Sequence, residues 1–384
     1  MNINSYFSDF LAGIRLTQNQ KDDLKRGHTT LRDRLLTDEA LKEIIVATFL
    51  QGSYRRATAI RPLAGKRADV DVIVVTNIDK DSVTPEEVIE LFKPFMEKYY
   101  KGKYRIQGRS IGIELSYVDL DVVITSAPLE VEENVYRSKS VQSQLMLEDY
   151  TPRYPWRLVK GFADPVADNY GNYGELSKAI REAAEWKTAP LWIPDRDAQE
   201  WVETHPLEQI RWTNAKNATT QGHYVNVVKA LKWFRLEKFA DIKHPKGYPL
   251  EHMVGDCCPG DITSVEEGVV KALENIVSNY RTERLLSRVP VLRDRGVPSH
   301  DVWKRIKEDD FKKFYDHIEN YAVVARQAYD ATTIEEKVKL WQSIFGNKFP
   351  DPPKPKGKSD DGSESSGGFT PRTAPTVIGG GRFG

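Results

Sequence analysis

The sequence predicts an α/β protein of two lobes, a mixed-sheet core followed by a mostly helical lobe. Up to about Pro128, β-branched runs such as "DVDVIVV" and "VDLDVVIT" alternate with amphipathic helical spacings; beyond it, long helical segments with Trp and Pro interruptions take over. A third pattern closes the chain. From Phe349, "FPDPPKPKGKSDDGSESSGGFTPRTAPTVIGGGRFG" is rich in Pro, Gly, Ser and charge and almost empty of large apolar residues, so burial cannot offset its ordering entropy and disorder is expected. The division that follows is 1–160 for the core with its N-terminal helices, 161–348 for the helical lobe and 349–384 for the tail.

Taken in order, Thr17 to Thr48 places Leu24, Leu31, Leu35, Leu41, Ile44 and Ile45 at mostly helical spacings, which predicts one or two amphipathic helices leading into a turn at Gly52-Ser53. Ile73, Val74 and Val75 predict a core strand over 70–76. "TPEE" starts a helix from Thr84 to Tyr100 with Pro at its first position, and strands are expected near 103–109, 111–117 and 119–125. Helices are expected over 173–186, 195–203, 206–238, 264–287, 299–328 and 333–345, and a cleft between the lobes is the default ligand site.

Composition excludes several classes. With 56 basic and 56 acidic residues, the chain has no excess positive charge with which to coat a long nucleic acid. The only cysteines, Cys257 and Cys258, are adjacent, which rules out a disulfide framework and fits a reducing compartment. A zinc site recruiting His252 and Asp256 lacks the usual ligand spacing. Asn77, Asp79 and Asp81 alternate as in a calcium loop but lack its glycine and closing glutamate, so a solvated strand exit is the reading. No leader pattern and no run of 18 apolar residues occurs, so a soluble cytoplasmic protein without membrane contact is expected.

The chemistry sits at the strand mouths. Side chains alternate faces along a strand at about 3.3 Å per residue, so Asp69 and Asp71 share a face roughly 7 Å apart. Two unpaired carboxylates there repel each other and lose hydration unless a cation lies between them. Magnesium takes such hard oxygen ligands, and a pair of ions calls for a third carboxylate. Asp119 and Asp121 share a face of the next Asp-bearing strand; Asp121 is preferred, because Val122-Val123-Ile124 sets it at the depth of Asp71, with Asp119 in reserve. Gly52 lets the backbone approach a phosphate, and the Ser53 hydroxyl and turn amides are donors for one.

"GSYRRATAIRP", "DVDVIVV" and "VDLDVV" resemble the nucleotidyltransferase core of the polymerase-β superfamily. "RATAIRP", "VNVVKALKWF" and "KGYPLEHMV" are similar to the bacterial cGAS/DncV-like nucleotidyltransferases (CD-NTases), with clade D the expected branch, over about residues 17–345. The resemblance implies a synthase of cyclic oligonucleotide signals in antiphage defence (CBASS). It would condense ATP, with or without GTP, into a cyclic di- or trinucleotide and release pyrophosphate. It implies that Asp69, Asp71 and Asp121 hold two Mg2+ ions, with Mn2+ as a substitute, that Ser53 and Lys232 bind the donor triphosphate, and that Tyr248 stacks on a base. Asn226 and Lys229, one or two turns before Lys232, are further candidates to face the cleft. Relatives often carry serine where this chain has Gly247, so that phosphate contact is either missing or supplied by Lys246. The ending "VIGGGRFG" looks like a tail joined through Gly384 to other molecules by a ubiquitin-like conjugation enzyme. A template-independent RNA nucleotidyltransferase and a non-catalytic nucleotide sensor are the rival readings.

Overall fold

The computed structural model describes residues 3–127, 190–239 and 242–352. The helix expected at 173–186 and the tail from 353, with Gly384, lie outside the described residues; Phe349, expected to open the disordered tail, is instead buried against Phe7, Phe10 and Phe345, because its ring completes that aromatic cluster. The chain opens with α1 (Ile3–Ile14) and α2 (Gln18–Thr37), then β1 (Ile45–Gln51), the single turn α3 (Gly52–Arg55), β2 (Asp69–Thr76), α4 (Pro85–Tyr100), β3 (Tyr104–Ile106), β4 (Ile111–Glu114) and β5 (Asp119–Ser126). Both long helices of this half begin with a reciprocal cap: Thr17 with Gln20 and Thr84 with Glu87, the second followed by Pro85.

The strands form one sheet in the order β1-β2-β5-β4-β3. β2 and β5 are parallel and in register from Asp69 beside Asp119 to Thr76 beside Ser126, whereas β1 pairs with β2, β4 with β5 and β3 with β4 antiparallel. The sheet is therefore mixed. Val70, Val72 and Val74 of β2, with Leu120, Val122 and Ile124 of β5, pack on one face against Leu24, Leu31 and Leu35 of α2 and Val88, Phe92 and Met96 of α4. Ile73 and Val75 bury on the other face with Val46 and Phe49.

The sequence expectations need correction where tertiary packing overrides helical spacing. The helical reading of Thr17–Thr48 holds only as far as Thr37. Beyond it Ile45 and Leu50 bury on one face of the sheet while Val46 and Phe49 bury on the other, a two-sided burial that only a strand satisfies. The helix expected at 195–203 is a hairpin of β6 (Leu191–Asp195) and β7 (Glu200–Thr204), joined to β5 at Ser126–Trp192. Asp195 makes its turn: the carboxylate accepts from the N–H groups of Asp197 and Ala198 and from Arg109 Nε at 2.7 Å.

The second lobe is helical: α5 (Pro206–Thr219), α6 (Tyr224–Lys238), α7 (Gly247–Cys257), α8 (Val265–Asn279), α9 (Arg281–Leu285), α10 (Glu308–Asp330) and α11 (Ile334–Phe345). The helix expected over 206–238 is thus two, as is that over 264–287. The one expected from 299 starts at Glu308, because Asp301 accepts from the N–H groups of Leu292 and Trp303 and folds the preceding chain into a turn. Helix α1, for which the sequence carried no expectation, buries Tyr6, Phe7, Phe10, Leu11 and Ile14 in this helical core. Phe7 meets Trp341 edge-on at 5.0 Å, and Phe10 stacks on Phe345 at 4.4 Å. Among the described residues no helix is long and apolar enough to cross a membrane.

Cys257 and Cys258 are free and buried, and burial pushes their thiols up to about 12 and about 11. Thiolate is the reactive species. The native protein is therefore expected to react with neither iodoacetamide nor an aromatic disulfide reagent at neutral pH on the timescale of unfolded-chain labelling. Two equivalents should react in denaturant; prompt native labelling of either cysteine would contradict this packing.

Candidate active site

Strand periodicity decides which carboxylates meet. Because Val70 and Val72 point into the α2/α4 layer, Asp69 and Asp71 project from the opposite face of β2, and the parallel register places Asp121 of β5 directly beside Asp71, about 4.8 Å away between strand axes. On the other side of β2, β1 ends with Gln51 paired to Asp71. The chain then turns into α3 at Gly52, whose φ is +73°. A Cβ at that position would overlap the Asp71 Oδ2 atom, so glycine is demanded twice, by the backbone and by the carboxylate pressed on it.

Ser53 follows, at the wall of a cavity of about 590 Å³. From the core the cavity is lined by Gln51, Gly52, Ser53, Arg56, Asp69 and Asp71, and from the helical lobe by Gln209, Lys232, Arg235, Gly247 and Tyr248. Asp121, the register partner of Asp71, is not among the residues lining the cavity; its Oδ1 lies 3.4 Å from the Gln107 Nε2 donor. Asp119 is committed elsewhere, accepting from Arg67 Nε at 2.7 Å. Asn226 and Lys229 are buried and are not among the residues lining the cavity; the Asn226 carboxamide oxygen accepts from Arg15 at 3.0 Å.

The carboxylates are electrostatically uncomfortable. Burial, then the charges of Asp69 and Asp121, push the Asp71 carboxyl up to about 7. Asp69, though solvent-exposed, and Asp121 are raised as well, each chiefly by desolvation. Such mutual repulsion among neighbouring hard oxygen donors, two of them at the cavity wall, fits a divalent cation, which would favour the ionised forms of all three. Among the described residues no group of three His, Cys, Asp or Glu side chains closes on one point tightly enough to hold an ion unaided. Two carboxylates completed by nucleotide phosphates and water are a donor set that magnesium accepts.

On the helical side Lys232 is only 8 % exposed and its ammonium donates to Glu251 Oε2 at 2.8 Å and to the Thr58 carbonyl at 3.2 Å. Glu251 also accepts from Arg56 Nε at 2.7 Å and Thr58 Oγ1 at 2.8 Å. Burial alone pushes the Glu251 carboxyl up, but Arg56 and Lys232 together hold it well below the usual carboxylate range. Removing one partner of such a buried pair costs about 3–5 kcal/mol. Tyr248 presents its ring to the Arg56 guanidinium at 4.9 Å, and its hydroxyl donates to Asp294 at 3.2 Å. Arg56, Thr58 and Glu251 were missed in the sequence; a glutamate three residues after Tyr248 on one helix was the available signal.

Residues 1–129 match the model of the Second Messenger Oligonucleotide or Dinucleotide Synthetase domain. The chain is 45 % identical over 384 residues to a cyclic AMP-AMP-GMP synthase of Enterobacter hormaechei subsp. hoffmannii, covering 98 % of this chain and 97 % of that protein. It is 29 % identical over 356 residues to a cyclic AMP-AMP-AMP synthase of an Acinetobacter species, covering 91 % and 86 %. In fold it is similar to the Bradyrhizobium diazoefficiens CD-NTase CdnG in complex with GTP, with a TM-score of 0.62 at 11 % identity over 89 % of this chain and 94 % of that one. Nucleotidyltransferases of this kind are in general metal-dependent, in keeping with the carboxylate face of the cavity. Joined to that face, identity of this order along nearly the whole length leads to one conclusion: the chain belongs to the bacterial cGAS/DncV-like nucleotidyltransferases and is an enzyme that synthesises cyclic oligonucleotides.

Proposed function

We propose that the enzyme condenses two molecules of ATP and one of GTP into a cyclic trinucleotide, cyclic AMP-AMP-GMP, and that the cavity between Ser53 and Tyr248 is where each bond forms. The observation that carries this reading is the juxtaposition of Asp69, Asp71 and Asp121 on one sheet face, with Asp69 and Asp71 lining the cavity and Asp71 pressed against the Gly52-Ser53 turn. The choice of bases follows the activity named for the Enterobacter relative.

In each step a 2′- or 3′-hydroxyl oxygen of one nucleotide bonds to the α-phosphorus of the next, the bond from that phosphorus to the bridging oxygen breaks, and pyrophosphate leaves. The hydroxyl proton passes to a carboxylate, which we assign to Asp121. Asp69, Asp71 and Asp121 would hold two Mg2+ ions, or Mn2+ in their place, which supply charge neutralisation for the attacking and leaving oxygens. Ser53 donates its hydroxyl to the triphosphate, Lys232 supplies positive charge on the same side, and Tyr248 offers a ring face for a base. Lys246, the N-cap residue of α7 beside Gly247, is our candidate to replace the serine of relatives. Attachment of the Gly384 carboxylate by a ubiquitin-like conjugation enzyme belongs to the same proposal and rests on "VIGGGRFG" alone.

The test is mass spectrometry of phosphatase-treated reactions that contain all four ribonucleotides and magnesium. The expected product is a phosphatase-resistant ring of two adenylates and one guanylate. A ring of three adenylates would reassign base choice. An elongated RNA primer in place of any ring would overturn the reading.

A further inference from the structure

Glu251 is a buried charge that the reaction above does not use. Its side chain is among the most buried in the protein, at 1 % exposure, yet it collects donors from both lobes: Arg56 and Thr58 from the segment after the Gly-Ser turn, and Lys232 from α6. Thr58 is tied in turn to the phosphate side of the cavity, since its N–H donates to the Ser53 carbonyl at 2.9 Å and that of Ala59 to the same oxygen at 3.0 Å. Lys232 closes the network by donating to both the carbonyl and the hydroxyl of Thr58, each at 3.2 Å. One carboxylate thus holds a lysine of the helical lobe and the serine turn of the core in a single hydrogen-bonded unit.

Stability does not explain this arrangement. A buried ion pair is commonly no better than a well-packed apolar one, whereas charge-assisted bonds fix direction. Two cations on one anion also leave a unit of positive charge at the wall, and both Arg56 and Lys232 line the cavity beside Ser53. That excess suits a polyanion.

We propose that Glu251 is a positioning residue for the nucleotide triphosphate: it aims Lys232 and, through Thr58, the Ser53 turn at the same phosphates. The proposal rests on the cavity being the nucleotide site. Its test is calorimetric binding of adenosine 5′-(α,β-methylene)triphosphate with magnesium, and of AMP, to the full chain and its variants. The methylene bridge blocks turnover at the α-phosphate. Glu251→Gln is expected to lose about tenfold in triphosphate affinity and to leave AMP affinity unchanged. Lys232→Met should lose a similar factor, and the double variant less than the product of the two, because both changes act on one unit. A merely structural role would weaken the two ligands together.

Thr58→Val removes a hydroxyl without unpairing a buried charge, so it decides the matter if Glu251→Gln does not fold; a loss of about fivefold for the triphosphate alone is expected. Unchanged triphosphate preference in the folded variants overturns the role of Glu251 and leaves the nucleotide site standing. Wild-type protein that binds neither ligand overturns the nucleotide site and this role together.

Discussion

Asp71→Asn is expected to lower product formation by on the order of 10³-fold or more while the protein melts no lower than wild type in metal-free buffer. The two halves of this result have one cause. Asp71 lies between Asp69, two residues earlier on its own strand, and Asp121, its register partner across the parallel pair, and burial adds to their repulsion. An amide of the same shape removes the charge that a divalent cation needs, and it also removes the repulsion that the folded protein bears without one. Loss of activity with loss of structure would instead make Asp71 a packing residue. Pyrophosphate release and scanning calorimetry on the same preparations separate the outcomes, and turnover within tenfold of wild type would exclude Asp71 from the chemistry.

Gly52→Ala should be nearly as damaging, on the order of 10²-fold in turnover, through displacement rather than loss of the carboxylate. The new methyl would fall on Asp71 Oδ2, and either the side chain swings away from Asp121 or the Ser53 turn lifts off the sheet. Part of any effect comes from the positive φ of residue 52, which costs a side-chain-bearing residue about 1–2 kcal/mol. Gly65→Ala isolates that part. Gly65 has φ +80° and nothing within 4 Å of an added Cβ, so its alanine variant bears the conformational cost alone and should retain turnover within about threefold. If the two alanine variants lose activity equally, the contact with Asp71 is not what matters at Gly52.

The carboxylate face was legible in the sequence because local rules govern it. Strand alternation puts Asp69 and Asp71 on one side of a β-branched run whatever surrounds them, and the matching run after Asp121 set that residue at the same depth. The same locality made the capped helix from Thr84 readable. It failed for residues 45–48 and 195–203, where spacing compatible with a helix is overruled by pairing to a neighbouring strand, and for α1, whose aromatic face has meaning only once Trp341 and Phe345 are beside it.

What the sequence by itself determined is the composition of the candidate site: a glycine-serine turn and carboxylates on β-branched strands, followed by a helical lobe. What only the tertiary structure decided is how the helical lobe meets that site. Glu251 lies 195 positions after Arg56 and 19 after Lys232, and no local spacing links the three in one dimension. Their pairing is a consequence of burial: charges removed from water must find one another, and which ones do so depends on where the two lobes touch rather than on any local pattern.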